Sequence, residues 1–387
     1  MEMLDDVHPM PSPEPPVDLK GIVPPDCYVS PGIYVNMPEE RYHHAFALSA
    51  SGIKWLKVST LDFWTRSSLN PNLDAVIEEE GYSDAKSLGS AIHKRILEGR
   101  EAFDQCYIPP LSRKDFPDAL DTMEEIREAI RSANESRDKE ARIKLSGTKD
   151  EIIERLISAV PQTKFWDAIQ SEYGQKHSGK EFLSERDIGR IEIMVRMIEA
   201  KEDIAQTFKN GLPEVSVFFI CQRTGVPCKL RMDYLRPDYI GELKSFANKR
   251  RRDIDAAINS EFSFNNYAIQ AAWYLDAMPY VKALAKSGRV YGDVDPEFVK
   301  RLTQRQPRKI EYVWVQKGVA PVARGKTFDP VKGGDEMGTY ALAKARNESM
   351  KDKFRECLES YPPGAPWVDR VGKSLFLDEE IPGDAIG

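Results

Sequence analysis

The chain has 387 residues, 41% of them hydrophobic and 10% aromatic, enough for one large domain or two with a sizeable core. Its net charge of −7 argues against a protein that merely coats nucleic acid, although an acidic protein can still hold DNA in a local basic channel. No secretory leader and no apolar run of about 18 to 20 residues are visible, so we expect a cytoplasmic protein without a membrane span. The five scattered cysteines favour free thiols over a disulfide framework or a zinc site.

The N-terminal segment predicts a tail followed by helices. Seven prolines and few large apolar residues in positions 1–26 are typical of a flexible tail. We assign residues 27–115 to the first part of the main domain. A short strand is expected between residues 27 and 42, and the stretch Leu48-Ser49-Ala50-Ser51 predicts a hydroxyl-capped start for a helix that runs through Gly52–Leu56. Apolar residues at helical spacing predict a further helix over about 84–98, with His93 beside the apolar stripe.

Residues 116–165 differ from their surroundings and predict a helical insert. Thr122–Ile130 and Leu145–Leu156 have helical patterns, and Gly147-Thr148-Lys149 is typical of a capped helix start. The pair resembles the helix–loop–helix of SAP-type DNA-binding modules, with an extra polar stretch at Glu135–Arg142. That resemblance implies Lys149 as a DNA contact. The alternative is an ordinary helical hairpin that packs on the main domain.

Residues 166–387 predict the remainder of the main domain, an α/β fold with helices on both sides of a mixed sheet. A helix over about 184–200 precedes a hairpin of strands at 214–220 and 229–234, and a third strand follows at 239–246. Helices are expected over about 251–260 and 265–278, then a strand at 310–316 and a long helix over about 336–359. The strands are the elements that carry the chemistry.

Charged residues fall on one face of the second and third strands. Because side chains alternate along a strand, Arg231 and Asp233 share a face, as do Glu242 and Lys244, and neighbouring strands can bring these together. Two close carboxylates repel each other unless a cation lies between them, and oxygen ligands suit Mg²⁺ or Mn²⁺, as one ion or two. Lys244 can orient or deprotonate a water molecule and offset charge on a pentacovalent phosphate.

The spacing of Asp233, Glu242 and Lys244 resembles the PD-(D/E)XK nuclease superfamily. The resemblance implies a restriction-endonuclease-like core in which Asp233 and Glu242 hold the metal and Leu243 lends it a backbone carbonyl. A solvated strand face with salt bridges is the alternative for this pattern alone.

Two further motifs resemble RecB-family nucleases. Gly89 to His93 matches the GxxxH element, and Gln270 to Tyr274 matches QxxxY on one helix face, beside Tyr267. The resemblance implies that His93 is a metal ligand and that Gln270 and Tyr274 position the DNA strand or support the lysine. Tyr267 is a candidate DNA contact.

Three stretches resemble the exonuclease VIII (RecE) branch, which includes phage and prophage proteins: Leu48–Leu56, Leu88–His93 and Tyr267–Tyr274. This resemblance implies Mg²⁺-dependent, 5′-to-3′ degradation of linear double-stranded DNA from its ends, which leaves 3′ single-stranded tails for recombination. It also implies a ring-shaped homo-oligomer and a RecT-like single-strand annealing partner in the bacterial cytoplasm. An iron–sulfur cluster is not expected, because only Cys357 follows the Gln/Tyr helix.

Other candidate site residues each have an ordinary alternative. Glu214 is a candidate metal ligand or a strand-edge carboxylate, Arg231 contacts the scissile phosphate or pairs with a carboxylate, and Ser245 binds phosphate or acts as a cap. A basic run beyond the third strand predicts a path for the DNA backbone or a solvated helix start. It comprises Lys249, Arg250, Arg251 and Arg252.

Two alternative functions remain beside the exonuclease. One is a RecB-like structure-specific endonuclease or a nuclease subunit of a repair complex. The other is a catalytically silent DNA-binding scaffold, which is disfavoured because such a protein has no chemical reason to keep adjacent carboxylates.

Overall fold

The computed structural model describes residues 25–80, 84–318, 320–332, 335–336 and 338–368. The predicted tail at 1–26 therefore lies outside the described residues, apart from its last two. Within the described part of the chain, no helix combines the length and the apolarity that a bilayer crossing requires. The contacts divide the chain into two compact units, Met1–Gly99 with Arg190–Gly387, and Arg100–Gly189.

The α-helices account for about half of the described residues. They are α1 (Glu39–His44), α2 (Ala50–Val58), α3 (Thr60–Thr65), α4 (Leu73–Glu80), α5 (Asp84–His93), α6 (Gly99–Cys106), α7 (Met123–Glu135), α8 (Lys149–Ala159), α9 (Trp166–Lys176), α10 (Glu185–Glu199), α11 (Glu202–Ala205), α12 (Ile254–Phe264), α13 (Tyr267–Lys286), α14 (Pro296–Gln304) and α15 (Gly338–Ser360). The strands are β1 (Gly32–Tyr34), β2 (Tyr107–Ile108), β3 (Glu181–Phe182), β4 (Leu212–Ile220), β5 (Pro227–Leu235), β6 (Ile240–Phe246), β7 (Val290–Tyr291), β8 (Ile310–Gln316), β9 (Ala323–Phe328), β10 (Val331–Lys332) and β11 (Asp335–Glu336).

The first unit is built on a mixed sheet. In the described residues this sheet has seven strands in the order β7-β1-β4-β5-β6-β8-β9. Neighbours are antiparallel except β1 with β7 and β6 with β8, which are parallel. The parallel β6–β8 pair requires a crossover, and helices α12 to α14 provide it. The predicted α/β fold, a mixed sheet flanked by helices, is confirmed.

The registers of the central strands place three carboxylates in one row. The β4–β5 register pairs Pro213 with Tyr234 and Val215 with Met232, which leaves Glu214 and Asp233 between these two pairs. The β5–β6 ladder ends at Tyr234 and Gly241, and Glu242 follows directly, in contact with the backbone of Asp233. Cross-strand neighbours lie on the same face of a sheet and are its closest side-chain pairs. The sheet therefore brings together acidic residues that are far apart in the sequence.

Helix α13 fixes the sheet from one side. Trp273 is 2% exposed, and its indole Nε1 donates a hydrogen bond of 3.0 Å to the backbone carbonyl of Lys229 on β5. The helix is longer than the sequence predicted and continues past Pro279 to Lys286. Helix α12 begins later than predicted, at Ile254, because Asp253 caps it and accepts hydrogen bonds from the amides of the first turn.

The second unit contains the predicted insert and extends beyond it. Helices α7 and α8 each begin with a capping box, and a small cluster of aliphatic side chains lies between them. The cluster comprises Ile126, Ile130, Ile143, Ile152 and Leu156. The unit exceeds residues 116–165 because β2 pairs with β3, which joins the segments on both sides of the two helices.

A buried lysine attaches α1 to the sheet. Lys229 on β5 is 7% exposed, and its Nζ donates hydrogen bonds to the carbonyls of Tyr42 at 2.8 Å, His43 at 3.2 Å and Ala45 at 2.6 Å. These carbonyls lie at the end of α1, where helical acceptors are left without amide partners. The lysine side chain therefore satisfies three acceptors at once.

We expect Lys229→Met to lower the free energy of unfolding by roughly 2 to 4 kcal/mol, because the buried carbonyls would lose their donor. Urea unfolding measures this change. Lys57→Met removes the same charge from an exposed position on α2 and should change stability by no more than about 0.5 kcal/mol. Equal stability of the two variants would contradict the structural role of Lys229.

Candidate active site

Three residues of the first unit offer ligand atoms to one point. Suitable side-chain atoms of His93, Glu214 and Asp233 all lie within 4.8 Å of one another. His93 Nδ1 is 3.8 Å from Asp233 Oδ2. One imidazole nitrogen and two carboxylates, half-buried on a sheet surface, form a donor set that fits a divalent cation.

An irregular helical turn positions His93. It is the last residue of α5, and the chain continues as a π-helical turn over Lys94–Glu98 that ends at Gly99 with a φ of +92°. Arg95 in this turn makes two hydrogen bonds to Glu192 on α10, at 2.8 and 3.0 Å. Single π turns within helices often mark functional sites, because they redirect a side chain without breaking the helix.

Glu214 has an unusual backbone conformation. Its φ of +51° is left-handed, although it lies within β4 and is not a glycine. Arg231 Nε donates to Glu214 Oε2 at 2.7 Å, and the same guanidinium contacts the carbonyl of Met37 at 2.8 Å and Ser216 Oγ at 3.2 Å. Of the two roles predicted for Arg231, the structure shows the pairing with a carboxylate.

Glu242 is fully buried and interacts on both sides. Its Oε1 accepts the backbone N–H of Asp233 at 3.3 Å, and its Oε2 accepts from Lys244 Nζ at 2.7 Å and from Gln270 Nε2 at 3.5 Å. Asp233 Oδ2 accepts the backbone N–H of Leu243 at 2.8 Å and lies 3.9 Å from Lys244 Nζ. The predicted triad of Asp233, Glu242 and Lys244 is therefore assembled in direct contact.

The backbone of Leu243 is directed toward the same place. Its N–H is bonded to Asp233, and the N–H and C=O of one residue point to the same side of an extended strand. The carbonyl that the sequence resemblance assigned to the metal therefore faces β5 and the carboxylate row.

Gln270 and Tyr274 act on the protein itself in this arrangement. Gln270 Nε2 lies 2.9 Å from the Tyr274 hydroxyl, which donates to the carbonyl of Arg231 at 2.6 Å. Tyr274 is 6% exposed. The two residues therefore link helix α13 to Glu242 and to β5.

Burial and mutual repulsion shift the pKa values of the site. Burial and the nearby Asp233 raise the pKa of Glu242 to about 8 and that of Glu214 to about 7. Burial opposes the charge of Lys244, but Glu242 and Asp233 outweigh it and raise its pKa. Burial lowers the pKa of His93 although Asp233 opposes this effect. Without a cation the two glutamates are therefore driven toward their protonated forms, and a bound divalent cation would favour their ionised forms.

The predicted DNA contacts belong to several different elements. The Tyr267 ring, at the start of α13, has Lys244 Nζ 5.2 Å from its centroid. Ser245 points to the opposite face of β6 from Glu242, because side chains alternate along a strand. The basic run at 249–252 precedes α12 and is exposed. Lys149 lies in the second unit, where its Nζ is 3.4 Å from Asp167.

Two neighbours of the site were not singled out from the sequence. Lys54 on α2 has its Nζ 5.4 Å from the centroid of the Tyr267 ring. Tyr312 on β8 is the register partner of Glu242, and its buried hydroxyl has no hydrogen-bond partner among the described residues. Lys54 lies within Leu48–Leu56, one of the stretches that resemble the RecE branch, so the sequence could have marked it as a candidate site residue. Tyr312 required knowledge that β6 and β8 pair.

Comparison with known families decides the classification. Residues 73–283, more than half of the chain, match the family described as "PDDEXK-like domain of unknown function (DUF3799)". The chain belongs to this PDDEXK-like family. The membership supports a nuclease and confirms the predicted superfamily.

Two further comparisons leave the classification of this PDDEXK-like protein unchanged. No curated protein matches it. Among solved structures it is similar to a "Putative exonuclease" from Eubacterium rectale, with 15% sequence identity and a TM-score of 0.42, over 88% of this chain and 96% of that one.

We expect the metal-free protein to lose stability as pH rises, relative to Glu242→Gln. The folded protein retains a proton on Glu242 up to about pH 8, whereas an unfolded chain releases it near 4.5. This stabilisation is complete below the lower pKa and is lost as pH rises through the upper one, by at most about 1.4 kcal/mol per pH unit. Glutamine does not titrate and lacks this dependence.

Urea unfolding in EDTA from about pH 5 to about pH 9 tests the expectation. The free energy of unfolding of Glu242→Gln, minus that of the wild type, should increase with pH. The exposed Glu199→Gln exchange is the control and should follow the wild-type profile. Parallel profiles for Glu242→Gln and wild type would show that Glu242 is not held protonated.

Proposed function

We propose that this PDDEXK-like protein is an Mg²⁺-dependent deoxyribonuclease that degrades linear double-stranded DNA from its ends. The proposal rests mainly on one observation. Asp233, Glu242 and Lys244 are in contact on adjacent strands, with His93 and Glu214 beside them. This combination supplies cation ligands and a positively charged hydrogen-bond donor at one place, as hydrolysis of a phosphodiester requires.

A divalent cation held by His93, Glu214 and Asp233, together with the Leu243 carbonyl, would polarise a phosphoryl oxygen and lower the pKa of bound water. With a cation in place Glu242 would be ionised, and the charges of Glu242 and Asp233 then raise the pKa of Lys244, so that Lys244 keeps its proton. In this state Lys244 orients the attacking water or stabilises the charged phosphate as a hydrogen-bond donor, and it does not act as the base.

Glu242 fixes the direction of the Lys244 side chain. The carboxylate accepts from Lys244 and is itself held by the amide of Gln270 and by the backbone of Asp233. Because a catalytic donor contributes only when it is already in place, this support is part of the catalytic arrangement.

The finer proposal is a RecE-type exonuclease. Its support is the resemblance of Leu48–Leu56, Leu88–His93 and Tyr267–Tyr274 to that branch. We propose 5′-to-3′ polarity, 3′ single-stranded products, Mn²⁺ as a substitute metal, a ring-shaped homo-oligomer and a RecT-like annealing partner. Such an enzyme would serve phage or prophage recombination in the bacterial cytoplasm.

The helical insert is proposed to add DNA affinity. Its support is the SAP-like pattern of α7 and α8, with Lys149 at the first turn of α8 on an exposed surface. In that role the insert would hold DNA while the first unit carries out hydrolysis. A structural role for the same two helices is the alternative.

The decisive assay incubates the purified protein with end-labelled linear duplex, closed circular duplex and single-stranded DNA, in Mg²⁺ or in EDTA. We expect degradation of the linear duplex in Mg²⁺ alone, with release of the 5′ label first. Lys244→Ala and Asp233→Asn should lower the rate by roughly 10² to 10⁴-fold, because each removes a group that acts in the transition state.

Other outcomes would redirect the proposal. Cutting of closed circles would favour the structure-specific endonuclease, and release of the 3′ label first would reverse the polarity. Degradation that persists undiminished in Asp233→Asn would remove the assigned site. DNA binding without hydrolysis in either Mg²⁺ or Mn²⁺ would indicate a catalytically silent scaffold.

A further inference from the structure

Lys54 is a cation that lies close to Lys244 of the candidate active site. It lies on α2, half-buried, and its Nζ is 5.4 Å from the centroid of the Tyr267 ring. Lys244 approaches the same ring, with its Nζ at 5.2 Å. Among the residues that the structure describes, the Lys54 ammonium forms no hydrogen bond and no ion pair. Burial and the neighbouring Lys244 lower its pKa, so its position disfavours the charge that it carries.

The carboxylates of the site do not explain Lys54. Glu214 is paired with Arg231 at 2.7 Å, and Glu242 is paired with Lys244 at 2.7 Å. Asp233 is also within 3.9 Å of Lys244. A second lysine beside Lys244, without an ion pair to any described carboxylate, therefore adds repulsion, which costs free energy unless an anion binds there.

We propose that Lys54 binds a backbone phosphate of the nucleic-acid strand, next to the scissile phosphate that Lys244 faces, with the Tyr267 ring close to both lysines. This inference rests on the proposed function. A lysine binds phosphate as a compact point charge, and successive phosphates of a strand are about 3.4 Å apart along the helix axis, so two nearby lysines suit two neighbouring phosphates. Lys54 is then a substrate-binding residue and takes no part in proton transfer.

The competing explanation is that the Lys54 stem packs on Tyr267 while its ammonium is hydrated. Long basic side chains often bury their aliphatic stems in this way, and a cation over a half-buried aromatic ring such as that of Tyr267 contributes about 0.5 to 2 kcal/mol. The two explanations differ in a measurable property. A phosphate contact releases a counterion from DNA, whereas a packing contact does not.

The test uses the full-length protein and a fluorescent linear duplex of about 30 base pairs, long enough for several phosphate contacts. Fluorescence anisotropy in EDTA gives Kd over a series of KCl concentrations for wild type, Lys54→Met, Lys54→Arg and Lys57→Met. Lys57 is the matched control, because it lies on the same helix and is exposed. Steady-state kinetics in Mg²⁺ then separate KM from kcat.

We expect Lys54→Met to raise Kd roughly tenfold and to reduce the slope of log K against log salt by about one. KM should rise more than kcat falls, Lys54→Arg should recover most of the affinity, and Lys57→Met should stay within about twofold of wild type. If circular dichroism shows that Lys54→Met is unfolded, Lys54→Gln replaces it.

Equal Kd values and salt slopes for the Lys54 and Lys57 variants would overturn the inference and leave the proposed function intact. A wild-type protein that binds no DNA at any salt concentration would overturn both.

Discussion

Three carboxylates lie in one row across β4, β5 and β6, and the rest of the site follows from the need to hold that charge within a folded protein. Burial and repulsion raise the pKa of Glu214 and Glu242, so the ionised form of each carboxyl group is disfavoured unless a cation lies nearby. Arg231 and Lys244 neutralise part of the charge, and His93 completes a ligand set that suits a divalent cation. The family membership supports the same conclusion, since the chain matches a PDDEXK-like domain over 73–283.

Two backbone segments of the site adopt conformations that are unfavourable in isolation. Glu214 adopts a left-handed backbone within a strand, and His93 is placed by a turn of π-helix, and both conformations are less favourable than regular structure. The surrounding contacts compensate. Arg231 holds Glu214, Arg95 anchors the π turn through Glu192, and helix α13 supports Glu242 through Gln270. The remote contacts of Lys229 and Trp273 keep β5 and its neighbours fixed.

The sequence predicted those parts of the site that depend on local periodicity. Alternation along two strands was sufficient to bring Asp233, Glu242 and Lys244 together, and the serines of Leu48–Ser51 indicated the start of helix α2, which Ser49 caps. The parts that depend on tertiary packing were less accessible. Tyr312 lies beside Glu242 only because β6 and β8 pair in parallel, across a crossover of three helices. The left-handed φ of Glu214 is not indicated by any residue pattern in the sequence. That Glu214 and Glu242 are paired with Arg231 and Lys244, and not with Lys54, becomes apparent only in the folded structure.

The central claim is that His93, Glu214 and Asp233 bind one divalent cation. The most direct measurement is a crystal structure of the protein with Mn²⁺, with the ion located by its anomalous scattering. We expect a single strong peak within about 2.0 to 2.6 Å of a nitrogen of His93 and of oxygens of Glu214 and Asp233, as first-row and hard cations require. An anomalous map with no peak at these residues, or with the ion bound elsewhere in the protein, would contradict the account.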